Sequence, residues 1–205
     1  MTPFGAFDRV YSAIKQRLMD GFYLPGSKLE SGELSDELGA SITPVREALH
    51  RLTGERLVEE APRHDGFRTP MMTESTLRQL YDWHFDLVML AVTKHRALDL
   101  AAQTPLEEAR SNEPARIRQN AWFLALAHEN RNPELAWALR NLTERLEPVQ
   151  RLEAKFLDDT EAETNAIVDA LQASDRKVLR RKLVNYHRRR KQIVPELLAS
   201  LLSTS

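Results

Sequence analysis

The sequence predicts a mostly α fold in two parts: an N-terminal winged helix-turn-helix with a small β-hairpin wing, and a C-terminal all-α bundle of about six helices. Over most of the 205 residues, apolar side chains recur three or four positions apart, as on one face of an amphipathic helix. A strand, a turn and a returning strand are predicted between Leu57 and Thr69. Pro70 follows this hairpin, so we expect domains at residues 1–70 and 71–205.

The first two helices are indicated by apolar residues spaced four apart. One is predicted from Phe7 to Met19. Its apolar face consists of Val10, Ile14 and Leu18. The next carries Leu34 and Leu38 on one face, and Ser31 is its expected N-cap. Gly39 ends this helix, because glycine adopts the left-handed cap conformation without a Cβ penalty.

A third helix is predicted from Pro44 to about Glu55. Ser41 or Thr43 is its expected N-cap, and Pro44 suits the first turn because its missing N–H would have no partner there. Its apolar stripe consists of Val45, Leu49 and Leu52. Two short helices joined by a glycine turn form a helix-turn-helix, whose second helix can enter the major groove of DNA.

The hairpin after this helix has the features of a wing. Residues 57–60 and 67–69 are its predicted strands, and residues 61–66 are its turn. The basic residues expected near its tip are Arg63, His64 and Arg68. Gly66 would let the turn approach the minor groove closely. A basic hairpin at this distance from a helix-turn-helix predicts a DNA-reading head.

The bundle is predicted to contain helices at residues 73–100, 105–111, 115–130, 133–152, 160–174 and 176–202. Thr73 with Thr76 is expected to begin the first of these, and Asp175 to cap the last. Pro148 should bend or locally weaken its helix, and Pro195 should kink the last one. Bundles bury ligand sites between facing helices and also supply dimer surfaces.

Composition restricts the class of protein. The chain has no cysteine, which excludes disulfides and thiolate zinc sites. No apolar run approaches the ~20 residues that span a bilayer, and the N-terminus lacks a signal peptide's basic start and apolar core, so we expect a cytoplasmic protein. The net charge is −1, with basic residues in the head and acidic ones downstream. Nucleotide-binding, hydrolase and zinc-protease motifs are missing, so we predict no enzyme.

The predicted DNA contacts lie before and at the start of the second helix, at the start and along the third, and in the wing. They are Lys28, Ser31, Ser41, Thr43, Arg46, Arg51, Arg63, His64, Gly66 and Arg68. Arg46 is the principal one, because it could bind guanine bidentately, worth ~1–3 kcal/mol, or clamp a phosphate. A surface ion pair with Glu47 or Glu33 is the alternative for Arg46. Solvated surface is the alternative for Arg51 and Arg63.

Several motifs resemble the winged-helix domain of the GntR transcriptional regulators. They are Pro25-Gly26-Ser27-Lys28-Leu29, Glu33-Leu34-Ser35, Leu38-Gly39, Thr43-Pro44-Val45-Arg46-Glu47-Ala48-Leu49, Arg51-Leu52 and Leu57-Val58. The helical remainder resembles, through weaker motifs, the ligand-sensing FCD domain of the FadR-like branch. Two arginines that tend to touch DNA in the family are replaced by Gly32 and Ile42, whereas the matching Arg46 is kept. The resemblance implies DNA binding, and these two replacements imply an altered operator preference.

The same resemblance raises the question of a metal. Many FCD domains bind a divalent metal through an aspartate and three histidines. The matching positions are Asn120, Leu124, Thr164 and His187. Only His187 is a usual ligand, whereas such metals favour several imidazole or carboxylate ligands, so we expect no metal and no other cofactor. A different cluster of His84, Asp82, His128 and His187 stays open, although its spacing gives little support.

A pocket without metal can still bind an organic effector between helices. Its candidate residues are polar side chains on otherwise apolar helices: His84, Asn120, Arg140, Thr164, Asn185 and His187, with Arg145 as the alternative to Arg140. Such groups can satisfy a carboxylate or hydroxyl of the ligand. For each residue taken singly, a hydrogen bond inside the bundle explains its presence equally well.

Two further patterns each have a structural and a functional interpretation. The basic stretch from Arg176 to Arg190 is expected to be a solvated face that pairs with acidic groups of a second subunit, with a nucleic-acid patch as the alternative. The three tryptophans are expected in the core, with pocket or dimer contacts as the alternative. They are Trp83, Trp122 and Trp137.

The sequence thus predicts a dimeric transcriptional regulator, most commonly a repressor, that binds a palindromic operator and responds to a small organic effector such as a carboxylate. Its partners would be double-stranded DNA, the effector and a second copy of the chain, without a membrane. The alternative, motivated by Gly32 and Ile42, is a winged-helix interaction module with weak or lost DNA binding.

Overall fold

The computed structural model describes residues 5–61, 66–94 and 113–203 of the chain. Its N-terminal part, here called the head, consists of α1 (Ala6–Met19), β1 (Lys28–Leu29), α2 (Ser31–Leu38), α3 (Ile42–Gly54), β2 (Glu59–Glu60) and β3 (Phe67–Arg68). The remainder, here called the bundle, is helical. The predicted fold class, a winged helix-turn-helix followed by an all-α bundle, is confirmed.

The head is held together by one apolar core beneath α3. Both α1 and α2 pack on α3, which makes it the central helix of the head. The core contains Val10, Ile14, Leu18, Leu29, Leu34, Val45, Ala48, Leu49, Leu52, Leu57, Val58 and Phe67. Burying a side chain of this size contributes roughly 1.5–3 kcal/mol, so the predicted apolar stripes of α1 and α3 fix how the head folds.

The turn between α2 and α3 follows the predicted glycine chemistry. Gly39 has φ 56° and ψ 46°, the left-handed cap conformation. The Arg9 guanidinium donates to the Leu38 carbonyl at 2.9 Å and to the Gly39 carbonyl at 3.3 Å, which satisfies acceptors at the end of α2. The N-cap prediction for α2 was wrong: Glu30 occupies that position, and Ser31 is the first helical residue.

The third helix begins two residues before its predicted start. Ser41 is its N-cap in an extended conformation, although its side chain makes no capping hydrogen bond, and Ile42 is the first helical residue. Pro44 therefore lies inside the first turn, where a missing N–H is tolerated. The early start places Ile42 and Thr43 on the exposed end of the helix.

The wing belongs to a three-stranded antiparallel sheet in the order β1-β3-β2. Lys28 and Glu59 both pair in register with Arg68, one on each side of it. The strand β1 was not predicted, because two residues are too few to show alternation. Arg68 was expected near the tip of the wing, but it lies in the central strand of the sheet.

The bundle consists of α4 (Glu74–Lys94), α5 (Ala115–Glu129), α6 (Pro133–Gln150), a 3₁₀ helix (Glu153–Lys155), α7 (Thr160–Gln172), α8 (Arg176–Gln192) and α9 (Val194–Ser203). The side chain of Asp175 accepts from the backbone N–H groups of Lys177 and Val178, so this cap prediction is confirmed. Thr73 accepts from the Thr76 backbone N–H in the same way. The helix predicted at 105–111 and the end of the one predicted at 73–100 lie outside the described residues.

The last predicted helix is two helices in the structure. Pro195 has no N–H to donate to the carbonyl of Lys191, four residues earlier. That carbonyl accepts instead from Arg78 of α4 at 2.6 Å. The chain leaves helical geometry at Ile193, so the expected bend near Pro195 is a complete break.

Only one of the three tryptophans lies in the core, which corrects the assignment for the other two. Trp122 is buried, whereas Trp83 and Trp137 are 51% and 59% exposed. Both exposed rings project from helices whose other faces pack in the bundle, with buried Tyr81 and His84 near Trp83 in sequence. The aromatic residue type alone favoured burial. These two rings are exposed because they lie on the sides of their helices that face away from the bundle core.

Polar contacts join the head to the bundle along α6, and we call this contact region the interdomain seam. Lys15 of α1 lies 2.9 Å from Glu144 of α6 and also pairs with Glu55 at the end of α3. The Asn141 side-chain amide donates to the Glu55 carbonyl at 2.7 Å, and Arg151 donates to the Met19 carbonyl at 3.2 Å. These contacts fix α3 relative to the bundle.

Within the described ranges, the helices are too short or too polar to cross a bilayer.

Candidate nucleic-acid interface

Helix α3 has one face in the core and the opposite face in solvent. Val45, Ala48, Leu49 and Leu52 are buried against α1 and α2. The solvent face, here called the reading face, contains Ile42, Thr43, Arg46, Glu47 and His50. A helix presented in this way can enter the major groove of B-DNA, which is about 12 Å wide.

The N-terminal end of α3 points a polar surface outward. Ser41 and Thr43 are both exposed there. The first backbone N–H groups of a helix have no partner inside the helix and favour an anion such as a DNA phosphate. Two hydroxyl groups beside these N–H groups can contact the phosphate backbone or base edges.

Arg46 is the candidate DNA contact with the greatest freedom. Its side chain is exposed, and among the residues that the structure describes it has no ion-pair partner. The two carboxylates that could have occupied it, Glu33 and Glu47, form no such pair with it. Its guanidinium therefore keeps all five donors for an outside acceptor.

Two other predicted basic contacts have intramolecular partners. The Arg51 guanidinium lies 4.3 Å from the centre of the Tyr11 ring and 3.5 Å from the Glu55 carboxylate. Lys28 pairs with Glu30 at 2.5 Å. Both side chains are about half exposed, so binding a phosphate would mean exchanging a weak surface partner.

In the wing, Arg68 pairs with Glu59 at 3.2 Å across the strands. Gly66 has φ 86°, a conformation that side chains with a Cβ rarely adopt. Arg63 and His64, the two predicted tip residues, lie outside the described residues. The described part of the wing therefore supplies a glycine at its turn and one paired arginine in its central strand.

The two positions where the family usually has arginine are exposed and lack charge. A Cβ added at Gly32 would meet no atom within 4 Å, and Ile42 is 52% exposed at the start of α3. The first position has room for a larger side chain, and the second presents a branched alkyl group to solvent. An exposed alkyl group on a reading face can contact the methyl group of thymine.

Two of the predicted effector residues meet in the centre of the bundle. His84 of α4 and His187 of α8 are buried, with Nδ1 of His84 2.9 Å from Nε2 of His187. The Leu183 carbonyl can only accept, so Nδ1 of His187 donates to it at 2.8 Å. Nε2 of His187 consequently accepts from Nδ1–H of His84, whose Nε2 has no hydrogen-bond partner among the described residues.

Burial is the main cause of low basicity in both histidines. It lowers the pKa of His187 from 6.5 to about 3, with Arg190 nearby acting in the same direction. It also holds the pKa of His84 well below 6.5, supported by His187 and Arg190. Both rings therefore stay neutral at pH 7, and the pair is a hydrogen-bonded part of the core.

The other four predicted effector residues lie apart from this pair. Asn120 donates to Gln150 at 2.8 Å, and Thr164 donates to Gln119 at 3.2 Å. The exposed Arg140 contacts His128, and Asn185 accepts from Arg188 on the protein surface. The six residues thus do not converge on a single cavity.

One polar cavity does lie between α5, α6 and α7. It has a volume of about 310 Å³ and is lined by buried Gln119, Gln150, Glu153, Thr164 and Arg190, with Arg116 at its edge. Nε2 of Gln119 is buried and has no hydrogen-bond partner among the described residues. An unsatisfied donor of this kind costs about 1–3 kcal/mol unless water or a ligand accepts from it.

Sequence reasoning missed a buried charge network around Arg190. Nε of Arg190 lies 2.9 Å from Glu153, Nη1 lies 2.6 Å from Glu163, and the guanidinium stacks 3.3 Å from the Tyr186 ring centre. The Tyr81 hydroxyl donates to Glu153 at 2.8 Å. Burial raises the pKa of Glu153, while Arg190 opposes that shift.

This network corrects the expectation of a solvated basic face on α8. Arg190 is only 2% exposed, and the neighbouring Arg189 pairs with Asp159 and Glu163 of the same chain. The sequence spacing could have predicted the burial of Arg190, because it shares one helical face with Leu179, Leu183 and Tyr186. Arg180, Arg181 and Arg188 are exposed, as expected.

The positions that match the family's metal ligands do not form a metal site. Asn120 and Thr164 are hydrogen-bonded to glutamines, Leu124 has no donor, and His187 binds His84. The open alternative cluster separates as well, since Asp82 pairs with Lys191 and His128 contacts Arg140. No three histidine, aspartate or glutamate side chains converge in the described ranges.

Comparison with known proteins identifies the family. A family model described as bacterial regulatory proteins, gntR family, matches residues 7–66. The chain is 32% identical over 151 residues to the HTH-type transcriptional regulator McbR of Escherichia coli (strain K12), covering 68% of each protein. It is 30% identical over 135 residues to the Nta operon transcriptional regulator of Aminobacter aminovorans, covering 60% of this chain and 63% of that protein.

Solved structures extend the likeness over nearly the whole chain. The structure of E. coli McbR/YncC matches with a TM-score of 0.68 and 26% identity, covering 94% of this chain and 98% of that one. A GntR structure from Rhodococcus sp. RHA1 has a TM-score of 0.71 at 20% identity, covering 93% and 97%, which shows a shared fold. This chain belongs to the GntR family of bacterial transcriptional regulators.

Proposed function

We propose that this regulator binds a palindromic operator as a homodimer, inserting α3 of each copy into the major groove. The observation that carries the proposal is the reading face, where Arg46, which has no ion-pair partner among the described residues, is flanked by exposed Thr43 and Ile42. Double-stranded DNA and a second copy of the chain are its partners. We propose that the protein acts in the cytoplasm and represses transcription. We also propose that it has no enzymatic activity.

Dimerisation follows from the geometry of half-site recognition. One head covers a single half-site, and two heads read sites about 34–36 Å apart, or one helical turn of DNA. The bundle is the part of the chain that would hold two heads at this spacing. Because the seam fixes α3 on the bundle, movement of the bundle would move both heads.

A small organic effector is the proposed signal, and the polar cavity of the bundle is its proposed site. A volume of about 310 Å³ falls within the usual range for ligand pockets. Gln119 offers an unused amide donor and Thr164 a hydroxyl, which suit a carboxylate or hydroxyl of the ligand. We propose that this FCD-like bundle works without a metal, because its polar side chains are amides, hydroxyls and one histidine pair.

Fluorescence anisotropy tests the central proposal. Labelled intergenic DNA from upstream of the regulator's own gene would be titrated with protein at several salt concentrations, beside a scrambled duplex of equal length. We expect at least about a thousandfold preference for the natural sequence, and a linear fall of log affinity with log salt. Equal affinity for both duplexes would contradict operator recognition.

The same titration separates the second candidate, a winged-helix interaction module with weak or lost DNA binding. This alternative is favoured by one observation, the absence of charge at Gly32 and Ile42, where relatives usually have arginines. It predicts weak binding without sequence preference. Specific and salt-dependent binding would exclude it.

A further inference from the structure

A second cavity lies in the interdomain seam, distinct from the polar cavity of the bundle. Its volume is about 90 Å³. Its apolar wall comes from both parts of the chain and includes Leu18, Leu57, Met72, Leu80, Val149 and Leu201. Most of these side chains are buried, so the wall is preformed. The cavity is therefore an apolar hole that the head and the bundle build together.

Two arginines also line this cavity, one from each side of the seam. Arg56 follows the end of α3 and is exposed, whereas Arg145 lies half-buried on α6. Within the described residues, neither has a carboxylate partner. The neighbouring cations of the seam differ, since Lys15 pairs with Glu144 and Arg151 pairs with Asp20.

The missing counter-ion has an energetic consequence. Burial and the nearby Arg56 both lower the pKa of Arg145, in that order. An arginine nevertheless stays protonated at pH 7, so the lining of one largely apolar cavity contains two positive charges. An anion placed between them would relieve this repulsion and accept charge-assisted hydrogen bonds from both.

We propose that the seam cavity binds a short-chain monocarboxylate, with the carboxylate between Arg56 and Arg145 and the alkyl tail against the apolar wall. The volume sets the size of the tail. A cavity of about 150 Å³ accommodates benzene, so 90 Å³ has room for a tail of roughly three to five carbons. Met72 can adapt its shape to tails of different length, because its thioether chain is flexible.

The position of this site implies a role in control. The carboxylate would bridge a residue of the head, two positions after the end of α3, and a residue of the bundle. Binding would then favour one placement of the head on the bundle over others, which is how a ligand shifts a conformational equilibrium. The site stands independently of operator binding and of the effector cavity, because it rests on different residues.

Ligand-observed NMR with the full-length protein tests the proposal, with butyrate as the probe. We expect saturable binding with a Kd of about 1 mM, and at least about tenfold weaker binding for neutral butyramide and for acetate, which has almost no tail. The Arg56→Gln and Arg145→Gln variants should each weaken butyrate binding about tenfold or more. Arg188→Gln, on the exposed face of α8, should bind as the wild type does.

Three outcomes would overturn this assignment. They are equal binding of butyrate and butyramide, unchanged affinity in both arginine variants, and no saturable binding of any acid from propionate to hexanoate up to about 20 mM. Should Arg145→Gln fail to fold by circular dichroism, Arg145→Lys keeps the charge but loses the planar fork, and we expect intermediate affinity. The NMR titration contains no DNA, so its result does not depend on operator binding. Failure of operator binding would appear only in the anisotropy titration.

Discussion

The head and the bundle use polar residues in opposite ways. In the head, the polar groups of the reading face are exposed, and Arg46 has no partner in the described part of the chain. In the bundle, two groups of buried polar side chains bind each other: the pair of His84 and His187, and the network of Arg190 with Glu153. The exposed set is available to a partner, whereas the histidine pair and the Arg190 network are committed to structure.

This contrast predicts which property each substitution changes. Removing a side chain from the reading face should alter DNA affinity and leave folding nearly unchanged. Removing a buried polar group from the bundle should reduce the free energy of unfolding, because its partner would be left buried and unsatisfied.

Arg190→Ala should have the largest effect. It leaves the buried carboxylate of Glu153 without its cation and Glu163 with Arg189 alone, which costs about 3–5 kcal/mol in the free energy of unfolding. Urea unfolding followed by circular dichroism measures this value. Arg188→Ala is the matched control on the exposed side of the same helix and should change it by less than about 0.5 kcal/mol. Equal effects would show that Arg190 is not structural.

Acid should destabilise the bundle through the histidine pair. The unfolded chain binds a proton on each histidine near pH 6.5, whereas the folded pKa of His187 is about 3 and that of His84 is also lowered. Below pH 6.5 the unfolded state therefore binds more protons. The free energy of unfolding should fall as the pH decreases towards 3, by up to about 1.4 kcal/mol per pH unit for each histidine.

A double variant isolates this contribution from the carboxylates. Replacing His84 and His187 together by leucine removes both hydrogen-bonding partners at once, so neither is left unsatisfied. Urea titrations between about pH 7 and pH 4 should give a shallower pH dependence for the variant than for the wild type. Identical slopes would mean that the two rings are protonated in the folded protein.

Arg46→Ala should reduce operator affinity by about 1–3 kcal/mol, or roughly 5-fold to 150-fold, because the free guanidinium is the strongest donor on the reading face. Anisotropy titrations at several salt concentrations measure the affinity and the salt slope, and the slope should become shallower by about one if Arg46 contacts a phosphate. The free energy of unfolding should stay within about 0.5 kcal/mol of the wild type. Unchanged affinity and slope would remove Arg46 from the interface.

Loss of the contact made by Ile42 should have the smallest effect, and it should change the preference for thymine at one operator position. If Ile42 contacts a thymine methyl group, replacing that thymine by uracil in the operator should weaken binding by about 0.8 kcal/mol, the value of one buried methyl or methylene group. The Ile42→Ala variant should no longer distinguish the two duplexes. A scan of single uracil replacements with both proteins measures this. Equal discrimination by both proteins would assign the methyl contact elsewhere.

Much of the head could be predicted from sequence because its signals are local. The spacing of Val45, Leu49 and Leu52 identified the buried face of α3, and Gly39 identified the turn before it. Both depend on interactions between residues close in the chain. The strand β1 could not be seen in this way, because a two-residue strand exists only through its pairing with β3, far along the chain.

The bundle was less predictable because its polar groups depend on distant partners. The break at Ile193 follows from Pro195. The Lys191 carbonyl, however, accepts a hydrogen bond from Arg78 only because α4 lies beside this part of the chain. Arg190 was grouped with a basic run, although its acidic partners are 27 and 37 residues away. The effector residues shared a chemical character, but the fold placed them in separate surroundings.

Site-directed cross-linking can show whether the solvent face of α3 lies in the major groove of the operator. The chain contains no cysteine, so Glu47→Cys introduces a single thiol on the reading face, and Arg188→Cys introduces one on the bundle. Each variant would be mixed with operator DNA that carries a disulfide tether on a major-groove base. We expect rapid cross-linking from position 47 and none above background from position 188. Equal cross-linking from both positions, or none from position 47 under conditions of specific binding, would contradict the proposed mode of recognition.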